Sequence, residues 1–246
     1  MHSTDSDVIL LTCTENTALR RLPVHGSRGA ARAPRLPAGR VSTVALPTRP
    51  TRADIDPVLD RVAPRRLVVS GTDADLAAVL ARLLRTDRLA IEVAYLPVTR
   101  SPTAAAWGLP GGGAAAELAL EGTAAPAPLI RDDAGGVLVG RGEIRGLRGE
   151  CYCDDVLVLR GHAPRLVVAP GPRGVAVRAG RGRRPPDGRT RPVPPGTARG
   201  RGSAVGRAVQ VGCLPATVVS DGVPHPRTVE RWTWYHHTTP WLLVHP

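Results

Sequence analysis

The stretch spanning residues 66–110, RLVVSGTDADLAAVLARLLRTDRLAIEVAYLPVTRSPTAAAWGLP, constrains the fold more than any other part of the chain. Leu67-Val68-Val69 is a short apolar run that stops at Ser70-Gly71, after which Leu76, Val79, Leu80, Leu83 and Leu84 recur at helical spacing. A second apolar run over residues 89–96 ends at Pro97. Two parallel strands joined by an amphipathic helix form a right-handed βαβ unit, and ligands of such sheets gather beyond the carboxyl ends of the strands. Residues 70–75 and 97–103 are therefore the first places to look for a site.

The flanking sequence extends this pattern. Val8-Ile9-Leu10-Leu11 and residues 40–46 read as strands, while 17–22 reads as a helical turn and 23–40 as a loop rich in Arg, Gly, Ala and Pro. Thr51-x-x-Asp54 is a helix-start pattern; Pro57 sits early in that helix or opens a shorter one capped by Asp56. An alanine-rich helix then leads from residues 111–114 to Gly122. The alternation of strands and helices argues for a Rossmann-like parallel sheet covered on both faces.

Past Thr123 the character changes to short β-type runs at 128–130, 136–139, 156–159, 166–168 and 175–177, with hairpin signals at 132–136 and 170–174. The fold class is thus α/β, an N-terminal Rossmann-like lobe over residues 1–122 followed by an antiparallel β lobe over 123–246. Residues 178–202, dominated by Arg, Gly and Pro, are expected to be a disordered insertion or long exposed loop. In the tail, Trp232, Trp234 and His236 alternate with Thr233, Tyr235 and His237, and with Trp241 they are expected to close the β lobe with aromatic side chains.

The loops carry a resemblance. Gly71-Thr72-Asp73-Ala74-Asp75-Leu76 follows a strand and opens a helix, Leu96-Pro97-Val98-Thr99-Arg100-Ser101-Pro102-Thr103 follows the next strand, and Val219-Ser220-Asp221-Gly222-Val223 lies near the end. In that order these stretches resemble the nucleotide-binding and catalytic motifs of the diacylglycerol kinase family, whose relatives include sphingosine kinases and NAD kinases. The resemblance implies ATP and Mg2+ as cofactors and phosphoryl transfer to a lipid or small-alcohol hydroxyl. It places Asp73 at the magnesium and Asp221 near the acceptor, both as catalytic residues. Gly71, Thr72, Asp75, Thr99, Arg100 and Ser101 fall where the family binds nucleotide. The chain departs from the family's pattern where it matters chemically: Thr72 and Ala74 replace glycines, the second loop lacks glycine and an Asn-Asp pair, and Val223 stands where the family has glutamate. A catalytically silent relative that binds nucleotide, lipid or a protein partner is the alternative reading.

The residues also have a purely structural reading. Thr72-x-x-Asp75 is a capping pattern, acids in a first helical turn stabilise it by roughly 0.3–1 kcal/mol, and Thr99, Ser101 and Thr103 suit a helix start at Pro102. The formal charge of +12 comes entirely from arginine, since the sequence has no lysine. With phenylalanine also absent, this charge reflects a compositional bias, and it does not by itself argue for nucleic acid. Cys13, Cys213 and Cys151-x-Cys153 lack zinc-ligand spacing. No apolar run approaches the roughly 18 residues that span a bilayer, so a cytoplasmic protein is expected, peripheral at the membrane if its substrate is a lipid.

Overall fold

The computed structural model describes residues 8–13, 41–61, 64–180 and 200–246. The expected helical turn at 17–22, the loop at 23–40 and most of the segment 178–202 lie outside the described residues.

The first unit comprises residues 1–127 and 239–246. In chain order it holds β1 (Val8–Cys13), β2 (Val41–Leu46), α1 (Arg52–Arg61), β3 (Arg66–Gly71), α2 (Asp73–Arg85), β4 (Glu92–Pro97), α3 (Pro102–Trp107), α4 (Gly112–Glu121) and β5 (Ala124–Ala127). The second unit, residues 128–238, holds β6 (Ile130–Asp132), β7 (Val137–Leu138), β8 (Gly142–Cys153), β9 (Val156–Gly171), β10 (Gly174–Gly180), β11 (Ser203–Gly206), β12 (Ala208–Ala216), β13 (Val218–Ser220), β14 (Val223–Pro224) and β15 (Val229–His236). The last strand, β16 (Trp241–Val244), returns to the first unit.

Sheet order in the first unit is β2-β1-β3-β4-β16-β5, with β1 to β4 and β16 parallel and β5 antiparallel to β16. All six residues of β3 are buried, as a central strand covered on both faces requires. Leu76, Val79, Leu80 and Leu83 of α2 are completely buried, so the helical spacing seen in the sequence is the packing face. Pro57 lies inside α1, whose start is fixed by Thr51 and Asp54; Asp56 instead pairs with Arg52 and Arg82. One docking residue has no sequence signature. Arg66, 3% exposed, donates to the carbonyls of Ala119, Leu120 and Gly122 at the end of α4 and pairs with Glu92 at 2.7 Å. A single guanidinium thereby satisfies the orphan carbonyls of a helix end.

Three differences from the sequence reading have plain physical causes. Strands β8 and β9 form one long hairpin where the sequence shows separated short runs: Gly146, Gly149 and Gly161 take positive φ and let the ladder bend without ending. A Cβ at Gly149 would lie 2.0 Å from the Gly212 carbonyl oxygen, so this hairpin closes against β12 only with glycine there. The arginine-rich segment begins later than its composition suggests, because Arg178, Ala179 and Gly180 continue the β10–β9 ladder and Gly202 accepts from the Ala179 amide at 2.8 Å. The aromatic tail divides between the units. Trp232 and Trp234 fill the β core, whereas Trp241, Leu243 and Val244 are buried in the parallel sheet beside β4 and β5, so residues 123–127 and 239–246 belong to the α/β unit. The apolar composition of β16 suits either core, and its parallel pairing with β4, some 150 positions earlier, leaves no local mark in the sequence.

Candidate functional site

The strand order 2-1-3-4 places a topological switch between β1 and β3, since the chain proceeds to β2 on one side and from β3 to β4 on the other. The carboxyl ends of β1 and β3 are where an open parallel sheet of this kind takes a ligand. In this chain a carboxylate occupies that ground. Asp75, 1% exposed, accepts from the Thr72 amide at 2.7 Å and the Thr72 hydroxyl at 2.8 Å, while the Thr72 hydroxyl accepts from the Asp75 amide: a complete capping box. Its other oxygen accepts from the Arg49 amide at 2.6 Å, in the connection after β2. Asp75 thus ties the exit of β3 to the exit of β2, which flank β1. The Cys13 thiol at the end of β1 is pushed up to about 12 by burial and by the Asp75 charge.

Gly71 owes its identity to the same carboxylate. A Cβ there would lie 2.7 Å from Asp75 Oδ2 and 3.0 Å from Asp75 Cβ, so the space that glycine opens is filled from within. Thr72 is the N-cap of α2 in extended conformation.

Asp73, 8% exposed, knits the second loop to the first. Its Oδ1 accepts from the Tyr95 hydroxyl at 2.8 Å and the Ser101 hydroxyl at 2.5 Å, and its Oδ2 accepts from the Thr103 amide at 3.2 Å. Ser101 at the same time caps α3 by accepting from the Ala104 amide. Tyr95 sits in β4 and also donates to the Gly71 carbonyl; burial first, then Asp73, raises its hydroxyl well above the ordinary tyrosine range. The Thr103 hydroxyl is buried with no partner among the described residues. Thr99 and Arg100 stand exposed on the loop before Ser101.

Asp221 lies in the second unit, at the turn between β13 and β14. With φ of 51°, followed by Gly222 at 84°, it forms the left-handed pair of a tight hairpin. Its carboxylate accepts three successive amides, Val139 at 3.0 Å and Gly140 and Arg141 at 2.8 Å, and its own amide donates to the Arg141 carbonyl.

Five of the expected site residues of the first unit therefore gather at the carboxyl ends of β3 and β4, in two adjacent hydrogen-bonded sets, Thr72 with Asp75, and Gly71, Asp73 and Ser101 around Tyr95, while Thr99 and Arg100 take no part. Sequence reasoning missed Tyr95, read as a core strand position, and the Arg49 amide, which no side-chain pattern reveals. A magnesium ion takes about six oxygen ligands in octahedral geometry. Oδ1 of Asp73 is already shared by two hydroxyls and its Oδ2 accepts the Thr103 amide, so an ion at this carboxylate would displace donors of the fold. The residues do not fit the ion. Two buried carboxylates at a helix N-terminus also oppose the phosphate that such a terminus ordinarily attracts.

A groove of about 640 Å³ opens at the opposite, amino ends of β3 and β4. Among its charges, Arg65 pairs with Glu92 and Arg88 with Asp60.

A parallel α/β unit joined to an antiparallel β unit is the architecture of the diacylglycerol and NAD kinases, and the chain has this kinase fold. It is similar to a diacylglycerol kinase from Bacillus anthracis, with TM-score 0.64 and 9% identity over 98% of this chain and 97% of that one. An NAD kinase from Archaeoglobus fulgidus, solved in complex with ATP, matches with TM-score 0.51 and 14% identity over 96% of this chain and 93% of that one. No protein-family model and no curated protein matches the sequence. Among the described residues no helix is long and apolar enough to cross a membrane.

Proposed function

We propose that this chain is a kinase-fold protein that has given up phosphoryl transfer and acts by binding. The observation that carries the reading is the Asp75 carboxylate, bonded across the β1–β3 switch and filling the space over Gly71. Phosphoryl transfer rests on positioning and on neutralising phosphate charge. Here the turn presents two anions, both already committed to internal donors, and the side chain of Thr72 where close backbone approach to phosphate calls for glycine.

A second reading is favoured by the likeness of fold over nearly the whole chain, including a relative solved with ATP. In it the protein binds ATP and transfers phosphate to a lipid hydroxyl, with Asp73 and Asp221 as its catalytic residues and the exposed Arg100 supplying the phosphate contact that the missing glycines no longer make.

Titrating ATP with Mg2+ against thermal unfolding, with transfer to diacylglycerol in mixed micelles measured in parallel, separates the two. The expected result is no saturable stabilisation up to about 100 times a typical micromolar Kd, where a binding ligand would add about 2.7 kcal/mol, and no transfer. Saturable stabilisation with transfer would establish the second reading. Asp75→Asn sharpens the outcome: ATP-dependent stabilisation appearing only in that variant identifies the carboxylate charge as the block.

A further inference from the structure

Three acids of the second unit are spent on the backbone: Asp132, Asp154 and Asp221 each accept main-chain amides. The arginines are left to the surface, and on one face of the β sheet they are gathered. Ladder registers align Glu143 with Val167 and Arg178, and Arg145 with Arg165, across β8, β9 and β10. Intervening residues Ile144, Leu166, Val168 and Val177 point into the core, at most 2% exposed, so the aligned set points outward.

Glu143 lies low on this face, and three guanidiniums close on it: Arg141 at 3.1 Å, Arg145 at 2.5 Å and Arg165 at 3.1 Å. Arg145 and Arg165 keep 75% and 47% of their side-chain surface exposed, so one carboxylate pins their stems while their outer N–H groups face solvent. The Nε of Arg141 is buried without a partner among the described residues. Arg178 is exposed and has no ion-pair partner among the described residues. Four arginines against one glutamate leave a net charge of +3 on a face roughly 15 Å across, from strands about 4.8 Å apart.

The same face is apolar between its charges. Ala176 lies opposite Ala169 on β9 and opposite Val205 on the edge strand β11, and Val205 is 49% exposed. Guanidiniums bordering a shallow apolar strip match a surface that offers dense phosphates above hydrocarbon. A tightly folded anionic protein would supply the charges without the hydrocarbon.

We propose that the outer face of β8–β9–β10–β11, carrying Arg141, Arg145, Arg165 and Arg178 around Glu143 with Val205 at its edge, docks the protein onto an anionic lipid bilayer. Docking engages the phosphate headgroups through the arginines and sets Val205 into the interfacial layer. It goes beyond the proposal for the α/β unit and is independent of whether ATP binds there.

Sedimentation of the full chain with vesicles tests this, comparing phosphatidylcholine alone with phosphatidylcholine containing about a third phosphatidylglycerol. The expected result is binding to the anionic vesicles only, weakening steeply between 0.1 and 0.5 M salt. Each arginine removed should lower the partition constant roughly five-fold. Arg145→Gln with Arg165→Gln should therefore cost roughly 25-fold. Arg178→Gln, which touches no ion pair of the fold, should cost its single share and keeps the test informative if the double variant misfolds. Arg52→Gln with Arg231→Gln, an equal charge change on exposed positions off this face, should leave binding within about two-fold. Absence of binding to anionic vesicles, or equal loss in the off-face pair, overturns the proposal. So does a single-stranded RNA that binds through these same arginines while vesicles do not.

Discussion

Two turns in this molecule do the same mechanical work with different materials. At the β3–α2 turn, Asp75 is held by an amide and a hydroxyl of Thr72 and by the distant Arg49 amide, and its neighbour Asp73 by two hydroxyls and one amide. At the β13–β14 turn, Asp221 is held by three consecutive main-chain amides and by a backbone conformation that aspartate, asparagine and glycine tolerate. The first arrangement depends on particular side chains converging from three connections, so any ligand entering must break it. The second needs only one carboxylate and a strand entry, and leaves side chains around it free to vary. Both are positions at which a phosphotransferase reading would place chemistry; in both, the carboxylate oxygens are occupied by the fold itself.

The largest effect should come from Asp75→Ala. It strands the partly buried Arg49 and Thr72 amides, removes half of a capping box and opens a void above Gly71, together about 3 kcal/mol. Urea unfolding measures it; a loss below about 1 kcal/mol would mean that the knot is not what joins the two strand exits. Asp221→Gly isolates the other turn, because glycine keeps the left-handed backbone and removes only the acceptor. The expected cost is about 2 kcal/mol, with Asp221→Asn recovering part of it. If Gly and Asn variants were equally stable, the backbone conformation alone would account for the turn.

Asp73→Asn should cost about 1 kcal/mol. The amide oxygen can still receive Tyr95 and Ser101, while the new N–H2 group cannot accept the Thr103 amide. A stability loss with no change in any magnesium response is the signature of a clasp. A magnesium-dependent stabilisation present in the parent and absent from the variant would return Asp73 to catalysis.

These contrasts mark what the sequence could reveal. The Thr72-x-x-Asp75 cap, the α2 core stripe and the alternation that buries Trp232 and Trp234 are local, so spacing alone exposes them. The bond from Arg49 to Asp75 spans 26 positions and uses a backbone amide, which carries no residue signature. Tyr95 looks like any apolar strand residue until the hydroxyl is seen to meet Asp73. The β8–β9 hairpin is hidden because its glycines and arginines break the alternation by which strands are read, although the hydrogen-bond ladder runs through them. The motif order was legible as a kinase likeness; the occupation of its loops by internal carboxylates was not, since it depends on where side chains fold back.

The smallest effect sharpens the comparison by holding the turn design and changing the number of donors. Asp132, 5% exposed, resembles Asp221 in accepting a main-chain amide, that of Gly136 at 2.7 Å, and bars any Cβ at Gly136, which would lie 2.6 Å from its Oδ2. Burial raises its carboxyl above the ordinary range, and the Gly136 amide only partly offsets this. An acid whose folded pKa is raised adds stability fully below its unfolded value of about 3.9 and loses that contribution as pH climbs through the folded value. Glu143 runs the opposite way: burial acts to raise it, but the guanidiniums of Arg145, Arg165 and Arg141 hold it below the usual range. Its contribution is present above about pH 4.3 and fades as pH falls. Asp132→Asn should therefore lie within about 0.5 kcal/mol of the parent at pH 7 and fall behind it as the pH drops through the raised folded value of the parent's carboxyl. Melts of both proteins at pH 7.5, 5.5 and 4.5 give the difference directly. A difference that does not change with pH would show that the amides of Gly136 and Ala134 suffice to keep this buried carboxylate ionised, and the three donors around Asp221 would then reflect the geometry of the strand entry rather than the cost of burying charge.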